Sequence, residues 1–233
     1  MGKKIKGIKT ALNLFLFEQI SSVDVDSENC FTPLCAGELP VEEGHLIVAD
    51  LNAQAKFAMY RIGSKDAHSM ASLWVDSDQH PQFSEIAGYS NLDIRWKVHG
   101  VPGTFGFKLI EGLPPVIEYD YFVWKGIELD MHPYGLCYHD LHKKLSTGAI
   151  EWLQAKGVRL VIVGGLATDY CVFQTVMELL DAGFVVILNL AACRGIAQDT
   201  TFAALDKMRK GVNGNKAIII EHTSELEKMV VYE

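Results

Sequence analysis

No pair among the five cysteines, Cys30, Cys35, Cys137, Cys171 and Cys193, has Cys-x-x-Cys spacing, and their number is odd. Neither a disulfide framework nor a thiolate zinc site is indicated, so a reducing, cytoplasmic setting is the expectation. The chain also lacks any apolar run approaching the roughly 18 residues of a membrane span. It lacks an excess of bases: 21 Lys and Arg stand against 29 Asp and Glu, a net charge of −8. That balance argues against a nucleic-acid groove and against a membrane-surface role. Internal repeats and low-complexity linkers are missing too. What is present is ordinary globular composition, 49 % hydrophobic and 21 % charged over 233 residues. This excludes disorder, suits one α/β domain, and fits a soluble enzyme acting on a small molecule.

Lys3, Lys4, Lys6 and Lys9 precede the apolar stretch Ala11–Phe17, which hints at an export signal. The stretch is short, is broken by Asn13, and meets Glu18 with no small-residue cleavage site. The expectation is therefore an N-terminal arm, residues 1–18, as a short arm or helix packed on the body. A single domain is expected over 19–233.

Six segments read as strands: Gln19–Val25, Phe57–Ser64, Val116–Val123, Val158–Val163, Phe184–Leu190 and Ala217–Ile220. Val161-Ile162-Val163 and Ile218-Ile219-Ile220 are apolar throughout, as strands covered on both faces tend to be. Helical patterns lie between them. Ser146–Ala155 has a capping serine and Gly157 as a stop, and Tyr170–Ala182 puts Val172, Val176, Leu179 and Leu180 on one face before Gly183. Asp199 caps a third pattern that runs through Met208 to Gly211, and Val41–Lys56 carries a weaker one. The alternation predicts an α/β fold: a three-layer α/β/α sandwich around a mostly parallel six-stranded sheet. The stretch 69–112 is irregular. Phe83, Tyr89, Trp96, Phe105 and Phe107 within it predict a packed loop.

Ligands of open α/β sheets bind beyond the carboxyl ends of the strands. Asp26 follows the first strand, Asp66 and His68 the second, Lys125 the third and Cys171 the fourth. Four strand ends thus present reactive side chains at one edge. Cys171 follows Gly164-Gly165 in a strand–turn–helix setting, where the partial positive charge of a helix start lowers a thiol pKa. The plain alternative is a buried structural cysteine. Asp24 and Asp26 fall on one face by period two, and read alone either is more readily a turn or cap residue than a catalytic one. A lysine closing an apolar strand, as Lys125 does, ordinarily reaches solvent. Asp66-x-His68 with His99 makes a donor set of one carboxylate and two imidazoles for iron, manganese or zinc, with His80 competing for the place of His99.

The chain resembles the isochorismatase-like cysteine hydrolases and, within them, the nicotinamidases (pyrazinamidases). The block Gly165-Leu166-Ala167-Thr168-Asp169-Tyr170-Cys171-Val172 matches the family's nucleophile motif without a mismatch. Val25-Asp26-Ser27-Glu28-Asn29-Cys30-Phe31-Thr32-Pro33 is similar to its first-strand signature, with Glu28 for the usual Gln and Cys30 for a second Asp. Lys125-Gly126 matches the lysine motif. Asp66-Ala67-His68 resembles the nicotinamidase Asp-Trp-His, and Trp96, His99, Gly103 and Thr104 are kept from the following Trp-Pro-x-His-Cys-x-x-Gly-Thr block. Trp74 stands where a further histidine is expected.

The resemblance implies hydrolysis of nicotinamide to nicotinate and ammonia, in the manner of NAD salvage, with pyrazinamide as a second substrate. It implies a triad of Asp26, Lys125 and Cys171, and an oxyanion hole at the N–H groups of Ala167 and Cys171 beside a cis Leu166–Ala167 bond. Phe31, Trp96 and Leu166 are the implied substrate contacts. One divalent metal ion (zinc, iron or manganese) on Asp66, His68 and His99 is the implied cofactor, with homo-oligomers possible. The alternatives are a metal-independent amidase of carbamoyl or ureido substrates, a catalytically silent binding protein, and a thiol redox sensor.

Overall fold

A computed structural model describes residues 4–11 and 13–233. Lys3 of the N-terminal lysine run and the apolar Leu12 fall outside the described residues. Strands β1 (Ile5–Lys9) and β2 (Leu14–Leu16) pair antiparallel, so the segment expected as an arm or helix is a hairpin. It is completed by a strand from the far end of the chain, β9 (Val230–Tyr232), which pairs with β1. This small sheet encloses Ile8 and Phe15 against Ile20, Leu160, Ile162 and Ile187.

The central sheet has six parallel strands: β3 (Ile20–Val25), β4 (Tyr60–Asp66), β5 (Tyr121–Lys125), β6 (Leu160–Leu166), β7 (Val185–Arg194) and β8 (Ile218–Ile220). Their order is β5-β4-β3-β6-β7-β8. The third strand starts later than its apolar pattern suggests. Pro114 and Pro115 precede Val116–Glu118, which closes a single 3-10 turn, since proline favours a turn entry and donates no ladder bond.

Helices cover both faces. Period two sends Val161 and Val163 to one side and Leu160 and Ile162 to the other. The Val163 side packs against α2 (Ala149–Ala155), α3 (Phe173–Asp181) and α4 (Gln198–Lys210). The other side carries α1 (Val48–Ala55) and α5 (Glu225–Met229) together with the hairpin. Val176, Leu179 and Leu180 of α3 are fully buried, each contributing about 1.5–3 kcal/mol by removal from water. Asp199 does not cap α4. That work falls to Asp169 of the nucleophile block, whose carboxylate accepts the N–H of Ile196 (3.0 Å) and Ala197 (3.2 Å) and the hydroxyl of Thr200 (2.5 Å).

The 69–112 stretch is pinned by Trp74, Leu92, Trp96 and Phe107, all buried, whereas Phe83, Tyr89 and Phe105 remain exposed. Isolated bridges between Val75 and Trp96 and between Glu85 and Ile94 hold it closed. Among the described residues no helix is long and apolar enough to cross a membrane.

Candidate active site

The parallel register brings the strand ends together. Asp66 is the register partner of Lys125 across β4 and β5, and Val25 of β3 is that of Gly165 in β6. Asp26 follows Val25 with φ of +39°, a turn out of the strand that a short polar side chain tolerates better than a branched one. Its Oδ1 accepts the Ser64 hydroxyl at 2.6 Å, and its Oδ2 lies 2.9 Å from the Lys125 ammonium. Asp24 does not join it. That carboxylate is held by Arg61 (2.6 Å) and the Tyr119 hydroxyl (2.9 Å), so it serves the sheet.

Lys125 is fully buried rather than reaching solvent. Its Nζ pairs with Asp26 and Asp66, donates to Pro133 O at 3.3 Å and stands 4.0 Å from Cys171 Sγ. Burial alone would lower its pKa, but the two carboxylates outweigh burial and hold it well above the usual lysine value. Burial likewise pushes Asp26 up, and neighbouring Asp66 adds to this. Lys125 and the Ser64 hydroxyl pull back, leaving Asp26 at about 6.

Cys171 lies at the end of a π-helical turn, Thr168–Val172, that leads into α3. The Leu166–Ala167 bond before the turn is cis. Placement near a helix start predicts a lowered thiol pKa, and the structure reverses this. Only 6 % of Cys171 is exposed. Burial raises its pKa well above the ordinary value, Lys125 opposes this, and Asp26 and Asp66 add to it. The resting sulfur is a thiol beside a carboxylate poised to take its proton.

A small cavity of about 20 Å³ is lined by Phe31, Asp66, Trp96, His99, Ala167 and Cys171, among others. That is room for roughly one water molecule. Tyr134 and Tyr170 line both it and an outer cavity of about 390 Å³. Leu166 is not at the inner cavity. It packs into the apolar cluster with Ile47 and Leu51, and the next residue, Ala167, faces the cavity in its place.

Against the cavity stand three buried imidazoles, His68, His99 and His132, with nitrogens all within 4.8 Å of one another. His68 Nδ1–H donates to Gly126 O (2.8 Å) and His99 Nδ1–H to Lys97 O (2.6 Å). A carbonyl only accepts, so in the neutral form of each ring the lone pair falls on Nε2. Both Nε2 atoms lie 3.5 Å from Asp66 oxygens. Burial would raise Asp66, but Lys125 and His68 outweigh it and hold the carboxyl well below the usual range, as an anion. His68 Nε2 and both nitrogens of His132 have no hydrogen-bond partner among the described residues. Ligand atoms at about 2.1 Å from one ion stand roughly 3–3.4 Å apart when adjacent and about 4.2 Å apart when opposite, so nitrogens within 4.8 Å need only a small closure to share one ion. The donors therefore fit a divalent cation.

His80, the competitor for His99, is exposed at a loop tip and bonded to Ser77. His132 is the residue that motif reading missed. It lies shortly after β5, at the same strand edge as Lys125, and that position is the signal that points to it. Glu28, in the place of the family's glutamine, accepts the Asp66 N–H at 2.8 Å. Burial, with Asp66 and Asp26 beside it, pushes its pKa well up.

Fold and site together define a three-layer α/β protein with a thiol, a carboxylate and an ammonium at one strand edge. The isochorismatase domain model matches residues 77–221. The nicotinamidase/pyrazinamidase of Mycobacterium tuberculosis is 30 % identical over 193 residues, covering 80 % of this chain and 91 % of that protein. The chain belongs to the isochorismatase family. Among solved structures, a nicotinamidase/pyrazinamidase of Acinetobacter baumanii superposes with a TM-score of 0.79 at 23 % identity, covering 90 % of this chain and 98 % of that one. The pyrazinamidase of Pyrococcus horikoshii in complex with zinc gives 0.67 at 24 % identity, covering 87 % and 99 %.

Proposed function

We propose that this protein is a nicotinamidase, hydrolysing nicotinamide to nicotinate and ammonia through a thioester on Cys171. The observation that carries this is the convergence of Asp26 and Lys125 behind Cys171, whose side chain lines a cavity that Asp66 and His99 also line.

Asp26, as carboxylate, takes the thiol proton while Sγ attacks the amide carbon. The N–H groups of Ala167 and Cys171 receive the oxyanion. Asp26 returns the proton to the amide nitrogen, the C–N bond breaks, and ammonia leaves. Asp26 then takes a proton from water, whose oxygen attacks the thioester. The C–S bond breaks, the proton on Asp26 returns to sulfur, and the product acid gives its remaining proton to solvent and departs as nicotinate. Lys125 keeps Asp26 in place and stays cationic 4.0 Å from the sulfur as negative charge develops there. Phe31 and Trp96 flank the ring. Asp66, His68 and His99 would hold a divalent ion, with zinc, iron and manganese as candidates, which would supply a Lewis acid for the pyridine nitrogen.

The paired lone pairs of His68 and His99 beside an anionic Asp66 set this reading above a metal-independent amidase of carbamoyl substrates. The deciding experiment is ammonia release from nicotinamide by purified protein, with and without prior chelation. Activity that chelation abolishes supports the reading. No release from nicotinamide by metal-loaded protein refutes it.

A further inference from the structure

We infer that His132 is itself a metal ligand, making the site of this chain a set of three imidazoles and one carboxylate. The inference rests on the metal proposed above and extends it to a residue outside both motifs that carry Asp66, His68 and His99.

His132 is 3 % exposed, and neither ring nitrogen has a hydrogen-bond partner among the described residues. A buried imidazole ordinarily satisfies at least one nitrogen, because leaving both bare forfeits the hydration they had in water. None of the rings around it takes up either nitrogen in a hydrogen bond. One face stacks on His68 (centroids 5.1 Å apart, 19° between planes), and Trp96 lies near-parallel at 5.8 Å and 13°. Trp74 meets it edge-on at 4.6 Å. Its faces are thus covered and only its edge is left to bind. A ring nitrogen lies within 4.8 Å of those of His68 and His99.

The backbone places this ring deliberately. The His132 N–H donates to Asn91 O at 3.0 Å, and Pro133 O, one residue on, accepts from Lys125 Nζ at 3.3 Å. The segment after β5 is thereby tied to the 69–112 loop on one side and to the buried lysine on the other. The Trp74 indole packs edge-on against His68 at 4.7 Å as well as against His132. The loop therefore contributes a wall at that point, and the segment after β5 contributes the donor.

Three imidazoles with one carboxylate favour borderline first-row ions over the hard cations magnesium and calcium, which prefer oxygen. Four protein donors also fill a tetrahedral site, so an ion that accepts five or six ligands is needed if a substrate atom is to bind as well.

The test is Co²⁺ titration of the full-length, chelator-stripped protein, followed by calorimetry and by the visible d–d absorption. Wild type, His132→Ala, His132→Gln, His99→Ala and His80→Ala are compared, each first shown to be folded by its metal-free melting curve. Wild type should take up one Co²⁺ per chain and ignore Mg²⁺. His99→Ala and His132→Ala should each weaken binding by about tenfold or more and alter the band. His80→Ala should match wild type. If His132→Ala does not fold, His132→Gln carries the same expectation. Wild-type affinity and an unchanged band in the folded His132 variant, with His99→Ala impaired, would overturn the inference and leave the metal proposal standing. No Co²⁺ uptake by wild type would overturn both. A purely structural His132 would alter melting without altering the band.

Discussion

Lys125 and Asp66 are register partners on neighbouring parallel strands, and their buried side chains form an ion pair at the edge of the sheet. The same ammonium holds Asp26 at 2.9 Å. One lysine therefore links the base that serves the thiol to the carboxylate that faces the histidines. Removing it leaves two buried carboxylates without their counter-charge, a loss that costs several kcal/mol in such settings, on the order of 3–5. Lys125→Ala should cut kcat to below about 1 % of wild type and lower the urea midpoint. Its combination with Asp26→Asn should lose little more than the worse single variant. Losses that multiply in the double variant would show that the two act separately.

Cys171→Ala should abolish turnover, leaving less than about 0.1 % of wild-type kcat, while nicotinamide still binds. Mass spectrometry of the wild type quenched during turnover should find an acyl adduct on Cys171 alone. Substantial residual kcat in the variant would rule out covalent catalysis at this sulfur.

The pH dependence follows from Asp26. It must be ionised to accept the thiol proton, and burial sets it at about 6. As pH falls through that value the base is protonated and kcat/KM should drop tenfold per unit, then recover when pH is raised. An acid limb near the ordinary carboxylate value of about 4 would contradict the role given to Asp26.

His99→Ala should separate two amides. Nicotinamide has a ring nitrogen and benzamide does not. Benzamide should be a poor substrate of wild type and lose little further in the variant, whereas kcat/KM for nicotinamide should fall by about a hundredfold or more. Equal losses for both would mean that the metal site does not hold the ring nitrogen.

Gly126→Ala tests the packing behind the histidines. Gly126 has φ of +76°, and a Cβ there would collide with Cε1 and Nδ1 of His68. The substitution should tilt the His68 ring off its carbonyl partner and weaken Co²⁺ binding by at least about tenfold, beyond a stability loss of about 1 kcal/mol from the backbone. Unchanged metal affinity would show that the ring is not placed by this contact.

Much of this protein is written along its chain. Apolar triplets such as Val161-Ile162-Val163 mark strands buried on both faces, and the spacing of Val172, Val176, Leu179 and Leu180 marks a helix against the sheet. From those elements the carboxyl-edge rule already gathers Asp26, Asp66, His68, Lys125 and Cys171, because a parallel sheet aligns its strand ends whatever the loops do. The nucleophile block and the lysine motif are local strings, legible without any partner.

Tertiary structure decided what depends on distant neighbours. His132 belongs to no local pattern; it meets His68 and His99 only because the segment after β5 folds back along the 69–112 loop, held by Asn91. Leu166 and Ala167 are adjacent in the chain, yet one enters the core and the other the cavity, since the turn after β6 sets which way each faces. Asp24 and Asp26 share a strand parity and part company because Arg61 claims one and Lys125 the other. Protonation states lie furthest from the sequence. The helix-start setting of Cys171 favours a thiolate, while burial and two nearby carboxylates favour the thiol, and burial prevails because a thiolate there would lose the hydration that stabilises its charge.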